Sequence, residues 1–251
     1  MTPPLLAYAF DSLPGAPRER WELARRLGLA VEPADRPETD LALAPPDVPL
    51  PTLQAFGMHE LHPLHADAEA RRGALPYVLG VLGRAASAGI PRVLTASGFR
   101  PAVADRAVER CLDFYAALAP RARELGVRVL IEPLSPKRAG ALTDPAAVAG
   151  LLRELDQPDV FGAALDTGHL LDAGLDPARI VGGWDSPVEE LQLRGPRGAP
   201  PPVDARTLAW LHAPTREPAV VAVEHRQPIN VVALERLVEL LRGRMEPGRG
   251  D

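Results

Sequence analysis

Val127–Gly174 reads VRVLIEPLSPKRAGALTDPAAVAGLLRELDQPDVFGAALDTGHLLDAG. Val127–Ile131 is a short apolar run that enters Glu132 directly. Ala146–Leu155 has helical spacing, and Phe161–Leu165 is a second apolar run that enters Asp166. Strand, helix and strand in this order make a parallel βαβ unit whose strands are buried on both faces. Each strand then ends on a carboxylate, and parallel α/β folds gather their chemistry at that end of the sheet. His169, three residues past Asp166, adds a third polar group.

The pattern extends in both directions. Leu5–Phe10, Leu29–Val31 (running into Glu32), Thr52–Gly57 and Arg92–Ala96 are strand candidates before the unit; Glu190–Leu193 and Ala219–Val223 follow it. Helical spacing covers Pro17–Leu27, Asp67–Ala88, Pro101–Leu125, Pro177–Val181, Asp204–His212 and Val231–Arg244. Eight strands alternating with helices predict an α/β fold with a parallel sheet, and 251 residues suit one closed (β/α)8 TIM barrel. Residues 35–51 hold five prolines where the second helix would lie, so that helix is expected to be missing or shortened. The expected domain is 1–245, followed by a disordered tail over 246–251.

Composition narrows the function. A net charge of −5 argues against a nucleic-acid partner, which favours a basic face. No apolar run reaches the roughly 18–20 residues that span a bilayer, so no membrane association is expected. The N-terminus has no signal-peptide pattern, and the single Cys111 excludes an internal disulfide. Together these predict a cytoplasmic protein; a homo-oligomer is compatible with the sequence. No Gly-rich nucleotide-binding motif follows any strand.

Glu132, Asp166, Gln192 and Glu224 would end strands five to eight, which are neighbours in a barrel. Glu132 and Asp166 are 34 residues apart, and Gln192 and Glu224 are 32 apart, a βα period. Three carboxylates converging on the mouth raise one another's pKa. A bound divalent cation removes that conflict. Three carboxylates and an amide oxygen suit a hard ion such as Mn2+ or Mg2+ better than Zn2+ or Co2+. Asp166 is equally a candidate N-cap for the turn after it.

LIEPL, ALDTGH and AVEH resemble the xylose isomerase-like TIM barrels, the sugar phosphate isomerase/epimerase superfamily, over roughly 53–241. The resemblance implies that Glu132, Asp166, Gln192 and Glu224 bind one divalent metal ion and that His169 contacts substrate. It also implies an isomerase or epimerase of a small carbohydrate-like substrate: a sugar, a sugar phosphate or a hydroxy-keto acid. Glu132 and Glu224 would remove and return a proton through an enediolate. Two positions depart from the pattern. Gln192 stands where many members have histidine, although hydroxypyruvate-isomerase-like members resemble it, and Gly195 replaces an aspartate.

Other polar residues fall near the predicted mouth. His59, His62 and His65 follow the third strand; the preferred reading is substrate lining, with His59 as the contact, over a second metal cluster. Arg100, Arg194 and Arg226 lie on mouth-side loops and can hold a phosphate or carboxylate. Trp184 is a candidate pocket wall. An inosose-type dehydratase uses the same metal set, and a barrel that has lost its chemistry is a further alternative. Apurinic-site endonucleases share the barrel but need more histidines than the six present.

Overall fold

The computed structural model describes residues 4–96, 98–184, 188–202, 204–214, 216 and 218–245; the expected disordered tail lies outside them. Eight parallel strands form the sheet: β1 (Leu5–Ala9), β2 (Ala30–Glu32), β3 (Leu53–Gln54), β4 (Arg92–Ala96), β5 (Arg128–Glu132), β6 (Phe161–Asp166), β7 (Val188–Leu193) and β8 (Val220–Val223). Their order is β2-β1-β8-β7-β6-β5-β4-β3, so the edges are β2 and β3. These edges approach through one bridge, Ala34 with Gln54, where Gln54 N donates to Pro33 O and Asp35 N to Gln54 O, both at 2.9 Å. The result is a nearly closed TIM barrel.

The helices are α1 (Pro17–Arg26), α2 (Ala68–Ser87), α3 (Ala107–Leu125), α4 (Pro145–Leu155), α5 (Thr167–Asp172), α6 (Pro177–Gly182), α7 (Ala205–His212) and α8 (Val231–Met245). As the prolines predict, no α-helix lies between β2 and β3; a 3-10 turn at Leu41–Leu43 stands there instead. Aspartates open five of the helices. Asp67, Asp144, Asp166, Asp176 and Asp204 each accept from a backbone N–H of the first turn.

Two expectations are corrected. The helix expected over 101–125 starts at Ala107, because residues 101–103 pair with the loop after β3: Val103 N donates to Leu64 O, and Ala66 N to Pro101 O. Arg106, at φ 52°, then turns the chain into the helix. The third strand is only Leu53–Gln54, since Phe56–His59 coils into a 3-10 turn.

Alternate residues of each strand face opposite ways. Outward residues such as Tyr8, Val129, Leu165, Leu191 and Val221 pack with helix residues such as Trp21, Val78, Leu118 and Leu237 in one large core. Inward residues form small separate clusters: Ala7, Ala30, Val220 and Ala222, and Leu94, Leu130 and Ala164. These side chains are mostly small, which leaves interior volume for polar groups. At the amino end of the strands, Arg128 donates to Glu189, and Gly162 makes room: a Cβ there would lie 2.3 Å from Glu189 Oε1. No described helix is long and apolar enough to cross a membrane.

The join between β2 and β3 depends on Asp35. Its carboxylate accepts from Arg84 Nε and Nη2 at 2.7 and 2.8 Å and from the Tyr77 hydroxyl at 3.1 Å, tying the join to α2. Asp35 has a side-chain exposure of 14%, whereas Arg84 is at 51%. Asp35→Ala leaves the Tyr77 hydroxyl without its acceptor and is expected to cost about 1–3 kcal/mol in urea unfolding. Arg84→Ala, at a more exposed partner, is expected to cost less.

Candidate active site

The strand ends bring the proposed residues together. Asp166 pairs in register with Gln192, and Gln192 with Ala222, two residues before Glu224. Glu132 closes β5, next to β6. Glu132, Glu224, His169, His59, Arg194 and Arg226 all line one cavity of about 440 Å3 at this end of the barrel. Asp166 and Gln192 are fully buried beneath it.

Burial raises the Glu132 carboxyl well above the usual range, and the charges of Asp166 and Glu224 add to the effect. Asp166 is raised for the same first reason, although Arg194 and two backbone N–H groups act against it. Its Oδ1 accepts from Gly168 N at 2.6 Å and His169 N at 3.0 Å, so it is the N-cap of α5 as well as a site carboxylate. Oδ2 lies on the Arg194 side.

Arg194 continues the inward face of β7 that carries Glu190 and Gln192. Its Nη2 lies 2.8 Å from Asp166 Oδ2, and its Nη1 donates to Glu224 Oε1 at 3.4 Å. The first contact is the closer one, and it opposes the burial that raises the Asp166 carboxyl. Burial opposes the Arg194 charge, but Asp166, Glu224 and Glu132 outweigh it and hold the guanidinium above its usual range. Of the residues expected to contact substrate, Arg194 therefore reaches the cavity already engaged with two carboxylates.

His169 is neutral, with burial and then Arg194 lowering it to about 3. Its Nδ1 accepts from the Ser135 backbone N–H at 3.2 Å, which puts the ring proton on Nε2. Nε2 lies 3.7 Å from Glu132 Oε1. Although donor atoms of Glu132, Asp166 and His169 fall within 4.8 Å of one another, this tautomer makes His169 a hydrogen-bond donor rather than a metal ligand.

Glu190, two residues deeper on β7 than Gln192, and Glu32, which lines the cavity, form a second polar tier that sequence reasoning missed. Gln192 Nε2 donates to Glu32 Oε1 at 2.9 Å and to Glu190 Oε1 at 3.1 Å. Gln54 Nε2 donates to Glu32 Oε1 at 2.9 Å and Glu224 Oε2 at 3.1 Å, and Thr52 donates to Glu190. Burial raises Glu190 to about 7; burial and then Glu190 raise Glu32 well above its usual range. The signal for Glu32 was available, because AVE is an apolar run entering a carboxylate, as at Glu132 and Asp166.

The donor set fits a hard divalent ion. Gln192 directs its amide nitrogen to Glu32 and Glu190, its Oε1 is buried without a partner, and Asp166 Oδ2 meets only the Arg194 guanidinium. These oxygens, with Glu132 and Glu224, form an acidic, incompletely satisfied group that a cation completes. The other expected residues are dispersed. His59 is at the rim, its Nδ1 2.6 Å from Phe56 O. His62 is buried, lowered to about 4 by burial, and 5.1 Å from the His65 ring. Among the described residues these histidines form no metal-binding group. Arg100 donates to Pro136 O. Trp184 is part of the core between barrel and helices rather than the cavity wall.

A model of the xylose isomerase-like TIM barrel family matches residues 17–200. Among curated protein sequences, none matches this chain. The fold is similar to that of solved structures at low identity. A 3-keto-D-glucoside 4-epimerase from E. coli is 15% identical over 96% of this chain and 98% of its own, with a TM-score of 0.75. An L-ribulose 3-epimerase is 15% identical over 96% and 94%, with a TM-score of 0.76. The IOLI protein, solved with a bound zinc atom, is 15% identical over 96% of each chain, with a TM-score of 0.70.

The lower tier carries a pH signature. Glu190 holds its proton to about pH 7 in the folded protein, against an ordinary value of 4.5. The unfolded chain releases it first, so this stabilisation is complete below about 4.5 and is lost as pH rises toward 7. Glu190→Gln removes the titration. Relative to wild type, the variant is expected to gain on the order of 1–3 kcal/mol between pH 5 and pH 8, read by urea unfolding at each pH.

Proposed function

The chain belongs to the xylose isomerase-like TIM barrel family, and we propose that it is a divalent-metal-dependent isomerase or epimerase of a small carbohydrate-like substrate. The observation that carries this reading is the pair Glu132 and Glu224 on one cavity, with Asp166 and Gln192 on the two strands between them and the buried Gln192 Oε1 unpartnered. Glu132, Asp166, Gln192 and Glu224 would hold the ion; Mn2+ and Mg2+ suit these oxygens, and the zinc of the IOLI protein makes Zn2+ a candidate to test. When bound, the ion would polarise the substrate carbonyl and stabilise negative charge on its oxygen.

The chain's own residues would do the proton work. Glu132 and Glu224 reach the cavity from β5 and the end of β8, with β6 and β7 between them. One would take the proton from the carbon beside the carbonyl. If the same glutamate returns it to the adjacent carbon, an aldose and a ketose interconvert. If the opposite glutamate returns it to the original carbon from the other face, the product is an epimer. His169, locked as the Nε2–H tautomer by Ser135, would donate toward Glu132 or a substrate oxygen. The Phe56 and Phe99 rings at the cavity would shield the reacting carbon from water.

Arg194 supplies a second reading. It already places a positive charge on Asp166 and Glu224, so a barrel working without an ion, or one that has lost its chemistry, is the rival. The two cations share ligands and so oppose each other. Arg194→Met is expected to tighten Mn2+ binding about tenfold, or ~1.4 kcal/mol, in titration calorimetry. Wild type and variant both failing to bind Mn2+, Mg2+, Co2+ or Zn2+ favours the rival.

The reaction itself is read by solvent exchange. Ketoses, their phosphates and hydroxypyruvate are incubated with the protein and Mn2+ in D2O. Deuterium beside the carbonyl is expected for the true substrate class. Glu132→Gln and Glu224→Gln are each expected to slow exchange by about 10²-fold or more. Loss of water from the substrate would instead identify a dehydratase.

A further inference from the structure

Four arginines line the cavity: Arg36, Arg138, Arg194 and Arg226. Two have their charge matched. Arg36 pairs with Asp11 and lies over the Phe56 ring at 4.8 Å, and Arg194 contacts Asp166 and Glu224. Arg138 and Arg226 are different. Among the described residues, neither guanidinium makes an ion pair or a side-chain hydrogen bond. Arg138 is half-buried, 5.3 Å above the Phe99 ring, and its charge is disfavoured first by burial and next by the Arg226 guanidinium. The repulsion from Arg226 outranks the attraction of any carboxylate on Arg138.

Both arginines are carried by anchored backbone. Ser135 O accepts from Arg138 N at 2.8 Å and Ala139 N at 2.9 Å, while Arg138 O accepts from Arg100 N at 2.9 Å. Ser135 also holds His169, so Arg138 belongs to the turn that fixes the His169 tautomer. Gly198 O accepts from Arg226 N at 2.8 Å and Gln227 N at 3.0 Å. In sequence, Arg138 follows Glu132 by six residues and Arg226 follows Glu224 by two. Each proposed acid–base group thus has a guanidinium without an ion-pair partner just downstream, on the same cavity.

We propose that Arg138 and Arg226 together seat an anionic oxygen group of the substrate, a carboxylate or a phosphate ester, while its carbonyl end lies at Glu132 and Glu224. The proposal deepens the isomerase reading and rests on it for the placement of the carbonyl end. Two guanidiniums with no acceptor on the protein present planar N–H forks that match a carboxylate or a phosphate. The Phe99 ring, 5.3 Å from the Arg138 guanidinium carbon, attracts its charge without supplying a hydrogen-bond acceptor. The carboxylates beneath repel an anion, so the charged end is directed to the rim and the neutral end downward. A neutral sugar leaves the repulsion between the two arginines uncompensated.

Binding tests this without requiring turnover. Glycolate, glycerol 3-phosphate and glycerol are titrated calorimetrically into the full chain at low ionic strength. The carboxylate or the phosphate ester is expected to bind at least tenfold tighter than glycerol, and which of the two binds tighter identifies the anionic group. Arg138→Met and Arg226→Met are each expected to weaken the charged probe at least tenfold, with Arg138→Lys recovering part of the loss. Arg18→Met, at a position 86% exposed, controls for net charge and is expected to change nothing. Charged probes binding no tighter than glycerol overturn the proposal, as does an equal loss in Arg18→Met. The two readings fail separately. Deuterium exchange into a neutral ketose, with no anion binding, removes the anion seat and leaves the isomerase. Arginine-dependent anion binding without exchange into any carbonyl compound retains the seat and removes the isomerase.

Discussion

The guanidinium of Arg194 lies 2.8 Å from Asp166 Oδ2 and 3.4 Å from Glu224 Oε1 with 4% of its side chain exposed, and the rest of the mouth is arranged around that placement. Carboxylates at the ends of β5, β6 and β8 converge here, and burial disfavours the charge on Glu132 and Asp166. A buried cation is the cheapest relief a protein can carry in its own chain. It is incomplete relief, since one guanidinium faces three carboxylates. That remaining imbalance is what a divalent ion would answer, and such an ion would compete with Arg194 for Asp166 and Glu224.

The lower tier shows how the interior holds still more acid. Two amides do the separating. Gln54 Nε2 bridges Glu32 and Glu224, and Gln192 Nε2 bridges Glu32 and Glu190. An amide donates to two carboxylates without itself titrating, so the contacts persist whichever glutamate carries a proton. Histidine at position 192 would be a poorer fit to this neighbourhood: it has at most two donors pointing in opposite directions, and donating to both glutamates would require it to be charged. The glutamine that departs from the commoner family pattern is therefore matched to Glu32 and Glu190 through its nitrogen, while its Oε1 has no partner.

Much of the architecture was legible because the strands of a parallel barrel are apolar runs with a sharp polar end. β4 was read to the residue, and β5 and β6 to within one. The missing second helix was legible because prolines forbid it locally. What failed was decided at a distance. The expected helix reaches back to Pro101, yet Pro101 O and Val103 N are taken by Ala66 and Leu64. A two-residue β3 carries too little periodicity to bound. The convergence of Glu132, Asp166 and Glu224 at one end of the barrel was legible from the same strand-end rule, which also covers Glu32. In β7, VEELQLR alternates polar and apolar residues, which puts Glu190, Gln192 and Arg194 on one face; only a known closure shows that face to be the interior. Arg138 lies in a loop, where no period reports direction.

Gly168 shows that Arg194 is a structural commitment and not a surface side chain that has drifted inward. A Cβ at Gly168 would lie 2.5 Å from Arg194 Nε, 2.8 Å from its Cγ and 2.9 Å from Gly195 O. The Asp166–His169 turn can therefore exist beside Arg194 only with no side chain at that position. Thr167 completes the arrangement, its hydroxyl donating to Arg194 O and accepting from Arg194 N, both at 2.8 Å. The turn that supplies one carboxylate and the neutral histidine is thus the same turn that fixes the cation's backbone and clears its path. Asp166, Gly168, His169 and Arg194 form one unit, and changing any of them alters the charge seen by Glu132 and Glu224.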